Sequence, residues 1–144
     1  MSDDGNLVRM KTLDDAWNAQ NWDVFRKRHS ADTAVFWPGQ PEPTRGRDAH
    51  QAESEAFFKS IENHLDNNPY KVMFASGDWT CTIARWTGRM IGPVKGLDGK
   101  MHPATNKPFD YTVEGNTFVI NVPPPPGEKL SVGNAWKYVV TMNR

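Results

Sequence analysis

Apolar residues recur every three or four positions in the first half of the chain and alternate in the second. Ala49, Ala52, Ala56, Ile61 and Leu65 make a stripe at near-helical spacing, flanked by Phe57 and Phe58. They predict a helix from Asp48 to Leu65, ended by the Asn-Pro step before Pro69. Thr12 followed by Asp15 has the form of a capping box with Asp for Glu, so a helix is expected over Thr12–Gln20. Residues 1–10 then read as a mobile leader. Asn21 suits the cap of a second short helix with Trp22, Phe25 and His29 on one side. "DTAVFWPG" reads as a strand stopped by Pro38-Gly39, and "QPEPTRGR" as a loop.

From Tyr70 onward the pattern is that of strands. "YKVMFAS", "GDWTCTIARWTGRMIGP" and "KPFDYTVEG" are three candidates, and Thr117–Val122 and Ala135–Met142 are two more. The Gly- and Pro-rich "GPVKGLDGKMHPATN" joins two of them. Pro123 to Pro126 cannot lie in a central strand. In the middle segment, Trp79, Cys81, Ile83, Arg85 and Arg89 would share one face, and Thr80, Thr82, Ala84, Trp86 and Met90 the other. Two tryptophans therefore point in opposite directions from one strand. The order of elements gives an α+β fold, with helices packed on one face of a curved antiparallel sheet. Such an arrangement encloses an apolar pocket, with one of the two tryptophans toward the helices and the other toward the outside.

Composition narrows the partners. A chain of 144 residues suits one domain over residues 1–144. Lys+Arg and Asp+Glu both number 17, which leaves no electrostatic footprint for nucleic acid or an anionic membrane. One cysteine excludes an internal disulfide framework, and the four histidines show no metal-ligand spacing. No signal peptide or membrane span is legible, so a cytoplasmic protein is the default expectation. Cys81 reads as a small buried hydrophobe, and "RKRH" (Arg26 to His29) as the solvated side of a helix.

Taken in order, "AWNAQNWDVFRKRHSADTAVFW", "RGRDAHQAESEAFF", "GDWTCTIARWTGRMIGP" and "DGKMHPATNKPF" resemble the SnoaL-like proteins. These are polyketide-cyclase-like members of the nuclear-transport-factor-two-like superfamily, many of them labelled ester cyclases. The resemblance spans roughly residues 12–110, and residues 115–144 diverge from it. It implies a cone-shaped curved antiparallel sheet with helices on its concave face, and a homodimer formed through the sheet. It also implies cofactor-free, metal-free ring closure of an aldol type on a small hydrophobic or aromatic carbonyl compound. Such chemistry needs a carboxyl whose pKa is raised by an apolar pocket, and donors for the enolate oxygen.

Residue by residue the resemblance is uneven. Relatives reading "TGTH" correspond here to "TGRM", so Met90 stands at the histidine position and could only line a wall. The expected aspartate falls at Thr112. Asp110 and Glu114 flank Thr112 at two residues, about 7 Å along a strand. Asp110 is the candidate acid/base, and His50, one helical turn before Glu53, is the second catalytic candidate at the pocket mouth. Trp37, Phe57, Trp86, Met90 and Thr112 are the expected ligand-binding residues, with Phe57 and Phe58 also fitting a plain core. The opposing reading is a binding or accessory domain that keeps the pocket and has lost the acid/base residues. Arg85 is expected at the dimer interface with Trp79.

Overall fold

The computed structural model of the protein describes residues 3–37, 40–96, 98–112, 116–120 and 137–141; from residue 111 onward the description is of the strand backbone. Helix α1 (Asp3–Asn18) opens the chain and buries Asn6, Met10, Leu13, Asp14 and Trp17, a face at spacings of three and four. The expected leader is thus the first two turns of this helix, because its inward residues are tied to a distant turn. Asn6 Nδ2 donates to the Gly77 carbonyl at 2.7 Å, and Asp3 Oδ1 accepts from the Gly77 amide at 3.0 Å. Thr12, expected as a cap, lies inside the helix and donates back to the Arg9 carbonyl at 2.9 Å.

Helix α2 (Trp22–Arg28) starts where expected: Asn21 accepts from the Val24 amide, and three basic residues occupy its last turn. A short strand β1 (Ala34–Val35) pairs with β2 (Thr44–Arg45), which interrupts the segment read as a loop. Helix α3 (Arg47–Ser60) then ends well short of Leu65, where the apolar stripe predicts its end. Its continuation, Ile61–Asp66, is strand β3. Ile61 and Leu65 are four apart, a spacing that puts residues on one face of a helix and equally on one face of a strand. Pairing with the strand opposite decides between them.

The remaining strands are β4 (Val72–Ser76), β5 (Trp79–Ile83), β6 (Arg85–Met90), β7 (Val94–Lys95), β8 (Met101–His102), β9 (Pro108–Thr112), β10 (Asn116–Ile120) and β11 (Lys137–Thr141). β4 and β5 form a hairpin closed by Gly77-Asp78, with Gly77 at φ +57. The expected long strand is broken at Ala84. Its first half belongs to a sheet of order β11-β10-β5-β4, and its second to β3-β6-β9. β10 and β11 run parallel, and the other described pairs are antiparallel. β7 and β8 make a small hairpin within the Gly- and Pro-rich excursion. Glu114, Pro38-Gly39 and the four prolines at 123–126 lie outside the described residues.

Alternation carries through the break at Ala84. Thr80, Thr82 and Ala84 are buried and Trp86 packs on the core; on the opposite face Trp79 is 44% exposed, while Cys81, as expected, is buried. In β3-β6-β9 the outer positions Glu62, His64, Asp66, Arg85, Arg89, Pro108 and Asp110 are exposed, most of them charged, and Thr87 among them is half-buried. The outer face of β4 and β5 is different: Val72 and Phe74 are exposed beside Trp79. Inside, α1 lies against β3, β4 and β5, and α3 against β3. The helices and sheet bury one core of Met10, Leu13, Ala16, Trp17, Phe25 and Val35.

Candidate functional site

Trp17 stands at the middle of the aromatic interior. Its ring centroid lies 4.9 Å from Phe58, 5.8 Å from Phe57, 6.3 Å from Trp86, and 6.4 Å from both Phe25 and Trp37. These are tilted contacts within the range that favours aromatic pairs. Trp17 and Phe25 are buried, while Trp22, Trp37, Phe57, Phe58 and Trp86 keep part of their surface exposed. An apolar wall with an accessible rim is what a small-molecule site requires.

A polar border adjoins this wall through Trp37. The Trp37 Nε1–H donates to Glu53 Oε2 at 2.7 Å. Gln40 Nε2 and the Thr44 hydroxyl donate to Oε1 at 3.0 and 3.1 Å. His50 Nδ1 faces Oε2 at 3.5 Å, from one turn earlier on α3. Burial alone would raise the Glu53 pKa. The nearby His50 imidazole and the hydrogen bonds from Gln40, Trp37 and Thr44 together outweigh it and bring the carboxyl down to about 2. Glu53 is therefore a fixed anion beside a fully buried imidazole.

His29 is the second buried imidazole, 4.9 Å from His50 between ring centroids. Its Nδ1 lies 2.8 Å from the Phe25 carbonyl. Burial, then the neighbouring His50, lowers its pKa to about 3, so the ring stays neutral at ordinary pH. The α1 carboxylate Asp14 has the opposite fate. Burial raises its pKa to about 7, against the bond from the Tyr70 hydroxyl, which donates to Oδ2 at 2.6 Å. Asp15 beside it accepts from Asn67 at 2.8 Å and pairs with Lys11.

Of the expected site residues, the fold brings Trp37, Phe57 and Trp86 to this interior, and Met90 to the inner side at the end of β6; His50 joins them, but fully buried among Phe25, His29 and Trp37 rather than at a pocket mouth. Asp110 lies elsewhere. It is exposed on the outer face of β9, where Arg85 Nε donates to Oδ1 at 2.8 Å and Arg85 Nη2 to Oδ2. That bidentate pair holds its carboxyl below the usual carboxylate range. An acid held this way does not store a proton near neutrality. Thr112 pairs across from Arg85 in register, and its side chain lies outside the described residues. Sequence spacing had no means of finding Asp14, since its partner Tyr70 is 56 positions away. Among the described residues, no cluster of three or more His, Cys, Asp or Glu could hold a metal ion, and no helix is long and apolar enough to cross a membrane.

A family model described as SnoaL-like polyketide cyclase matches residues 7–119. No curated protein matches the chain. Among solved structures, a SnoaL-like polyketide cyclase from Jannaschia sp. CCS1 is 20% identical. It superposes with a TM-score of 0.64 over 97% of this chain and 86% of its own. An NTF2-like protein from Burkholderia xenovorans LB400 is 15% identical, with a TM-score of 0.62 over 99% of this chain and 92% of its own. An LEH-like epoxide hydrolase from M. tuberculosis is 8% identical, with a TM-score of 0.61 over 98% and 84%. At these identities the shared property is the fold.

Asp14 and His29 give opposing pH dependences. Asp14 has a folded pKa of about 7 against an ordinary 3.8, so its contribution to stability is full below about pH 4 and is lost as pH rises toward 7. For His29 the folded value of about 3 lies below the ordinary 6.5, so its contribution is lost as pH falls from 6.5. Glu53 loses its share only below 4.5. Between about pH 4 and 6.5 Asp14 and His29 oppose each other. Urea unfolding across that range should give a nearly level profile for the wild type and a profile rising with pH for Asp14→Asn. Parallel profiles would show that Asp14 ionises normally.

Proposed function

The chain belongs to the SnoaL-like polyketide cyclase family, and we propose that it binds a small aromatic or polycyclic carbonyl compound against the Trp17 cluster and moves a proton on it. The observation that carries this reading is the Glu53 carboxylate, fixed by Trp37, Gln40 and Thr44 where the aromatic wall meets His50. Glu53 faces the His50 ring at Nδ1 across 3.5 Å, and a shortening of that contact on ligand binding would give the arrangement by which a carboxylate holds an imidazole for proton transfer.

In the proposed step, the C–H bond beside a substrate carbonyl breaks and its electron pair passes into that carbonyl, forming an enolate. His50, buried beside Trp37 in the free protein, takes the proton once the bound reactant shifts that ring. The enolate carbon then bonds to a second carbonyl carbon of the same molecule, closing a ring, and the new alkoxide takes the proton back. Trp37, Phe57 and Trp86 hold the reactant flat and exclude water, which supplies the proximity that ring closure needs. Asp110, engaged by Arg85 on the outer face, takes no part.

Two observations favour a second reading, a binding domain without turnover. Met90 stands where the resemblance expects a proton-carrying histidine, and the Glu53 carboxyl is ionised far below neutrality. Deuterium uptake separates the two. With acetylnaphthalene as probe, the wild type should melt higher and should speed exchange of the hydrogens beside the carbonyl. Trp86→Ala should lose the thermal shift. Glu53→Gln should keep it and slow exchange about a hundredfold, the lower range for one acid/base group, and Asp110→Asn should change neither. Binding without any exchange would establish the second reading, and full exchange in Glu53→Gln would remove the His50–Glu53 pair from the mechanism.

We also propose that two copies associate through the outer face of β4 and β5. Val72, Phe74 and Trp79 are 38%, 53% and 44% exposed there, next to a β3-β6-β9 face whose charges already pair with one another as Arg85–Asp110 and Arg89–Glu62. Light scattering should return the mass of a dimer for the wild type and of a monomer for Phe74→Glu. A wild-type monomer at high micromolar concentration rules the association out.

A further inference from the structure

Two side chains on the inner side of the fold carry polar atoms that their own surroundings do not satisfy. Both ends of the Asn63 amide, and the indole N–H of Trp17, are shielded from solvent and meet no hydrogen-bonding partner among the described residues. Asparagine is not used this way elsewhere in the described interior. Asn6 donates to Gly77, Asn67 donates to Asp15, and Asn18 bonds the Leu65 backbone with both ends, at 2.7 and 2.8 Å. An amide shielded with neither end bonded is a costly feature, and one that calls for a specific explanation.

Position supplies that explanation. Asn63 pairs with Gly88 across β3 and β6, between the pairs Ile61–Met90 and Leu65–Trp86. Its outward neighbours Glu62 and His64 are exposed, so Asn63 belongs to the inner face with Leu65 and Trp86. Gly88 is itself obligatory there: a Cβ would collide with the Glu62 carbonyl oxygen and stand 2.5 Å from the Phe109 ring. The amide is thus set among Leu65, Trp86, Met90 and Phe109, with no side chain on the residue opposite. Trp86 is also a neighbour of Trp17. The lone donor of Trp17 and the donor–acceptor pair of Asn63 therefore belong to the same aromatic interior.

We propose that Asn63 and Trp17 are the polar anchors of the ligand site, selecting a flat apolar compound that carries both hydroxyl and carbonyl oxygens. The inference rests on the binding reading above and names the chemistry of its ligand. The Asn63 amide donates through Nδ2 and accepts through Oδ1, so its complement is a hydroxyl, or a hydroxyl beside a carbonyl. The Trp17 N–H only donates, so its complement is an acceptor oxygen. A site built to bond a ligand hydroxyl discriminates strongly against the analogue that lacks it, because its own groups are then left unpaired.

Calorimetry with a hydroxylated acetylnaphthalene, acetylnaphthalene and ethylnaphthalene tests this. The wild type should bind them in that order of strength. Asn63→Leu should weaken the hydroxylated probe about tenfold, leave ethylnaphthalene unchanged, and melt no lower than the wild type, since an apolar group replaces an unbonded amide. Asn63→Ala, which adds no bulk, should show the same loss of discrimination. If either variant binds all three probes as the wild type does, or if Asn63→Leu melts lower, the amide serves the fold and the inference is overturned while the binding site stands. A wild type that binds none of the three overturns the binding reading and this inference with it.

Discussion

The fold depends on housing Trp17. Its indole is too large for any one element to cover, so α2, α3, the segment after β1, and β6 each send an aromatic ring to it. Burying a ring of this size is a major share of a small domain's hydrophobic driving force. It also fixes where α1 lies on the inner sheet face. The remaining ties of α1 follow from that placement: Asn6 to the β4–β5 turn, Asn18 to β3, and Asp14 to Tyr70. The same packing leaves several of the surrounding rings partly exposed, so one requirement produces both the core and the rim of the candidate site.

The polar groups around this cluster are sorted by how completely their neighbours satisfy them. Glu53 has several donors and is held as an anion. Asp14 has lost more to burial than Tyr70 returns, and its carboxyl is pushed up to about 7. Asn63 has no partner among the described residues. These are three different electrostatic outcomes within one small interior. The first suits orienting a ring, the second exchanging a proton, and the third recognising a ligand. The charged outer face of β3-β6-β9 shows none of this, because its ions pair in water.

What the sequence reveals depends on how local each determinant is. Asn21 caps α2 through the amide three residues on, and the His50–Glu53 pair lies within one turn of α3, so both are legible from spacing alone. The opposite orientation of Trp79 and Trp86 is legible too, since alternation runs through the break at Ala84. The first turns of α1 are not, because Asn6 is buried by a bond to Gly77, 71 positions away. Strand β3 reads as helix in the sequence because Ile61 and Leu65 fit both periods, and the residue between them that would complete the alternation, Asn63, is polar. Asp110 looks free in sequence; pairing of β6 with β9 is what sets it beside Arg85.

The rings around Trp17 face a ligand, on this account, while Trp79 faces outward. The chain has six tryptophans, and each indole N–H gives its own signal in a nitrogen-15 correlation spectrum. Titration with the hydroxylated acetylnaphthalene should move the Trp17, Trp37 and Trp86 signals together along one saturating curve and leave Trp79 in place. Movement confined to Trp79, or none at all, would contradict the account.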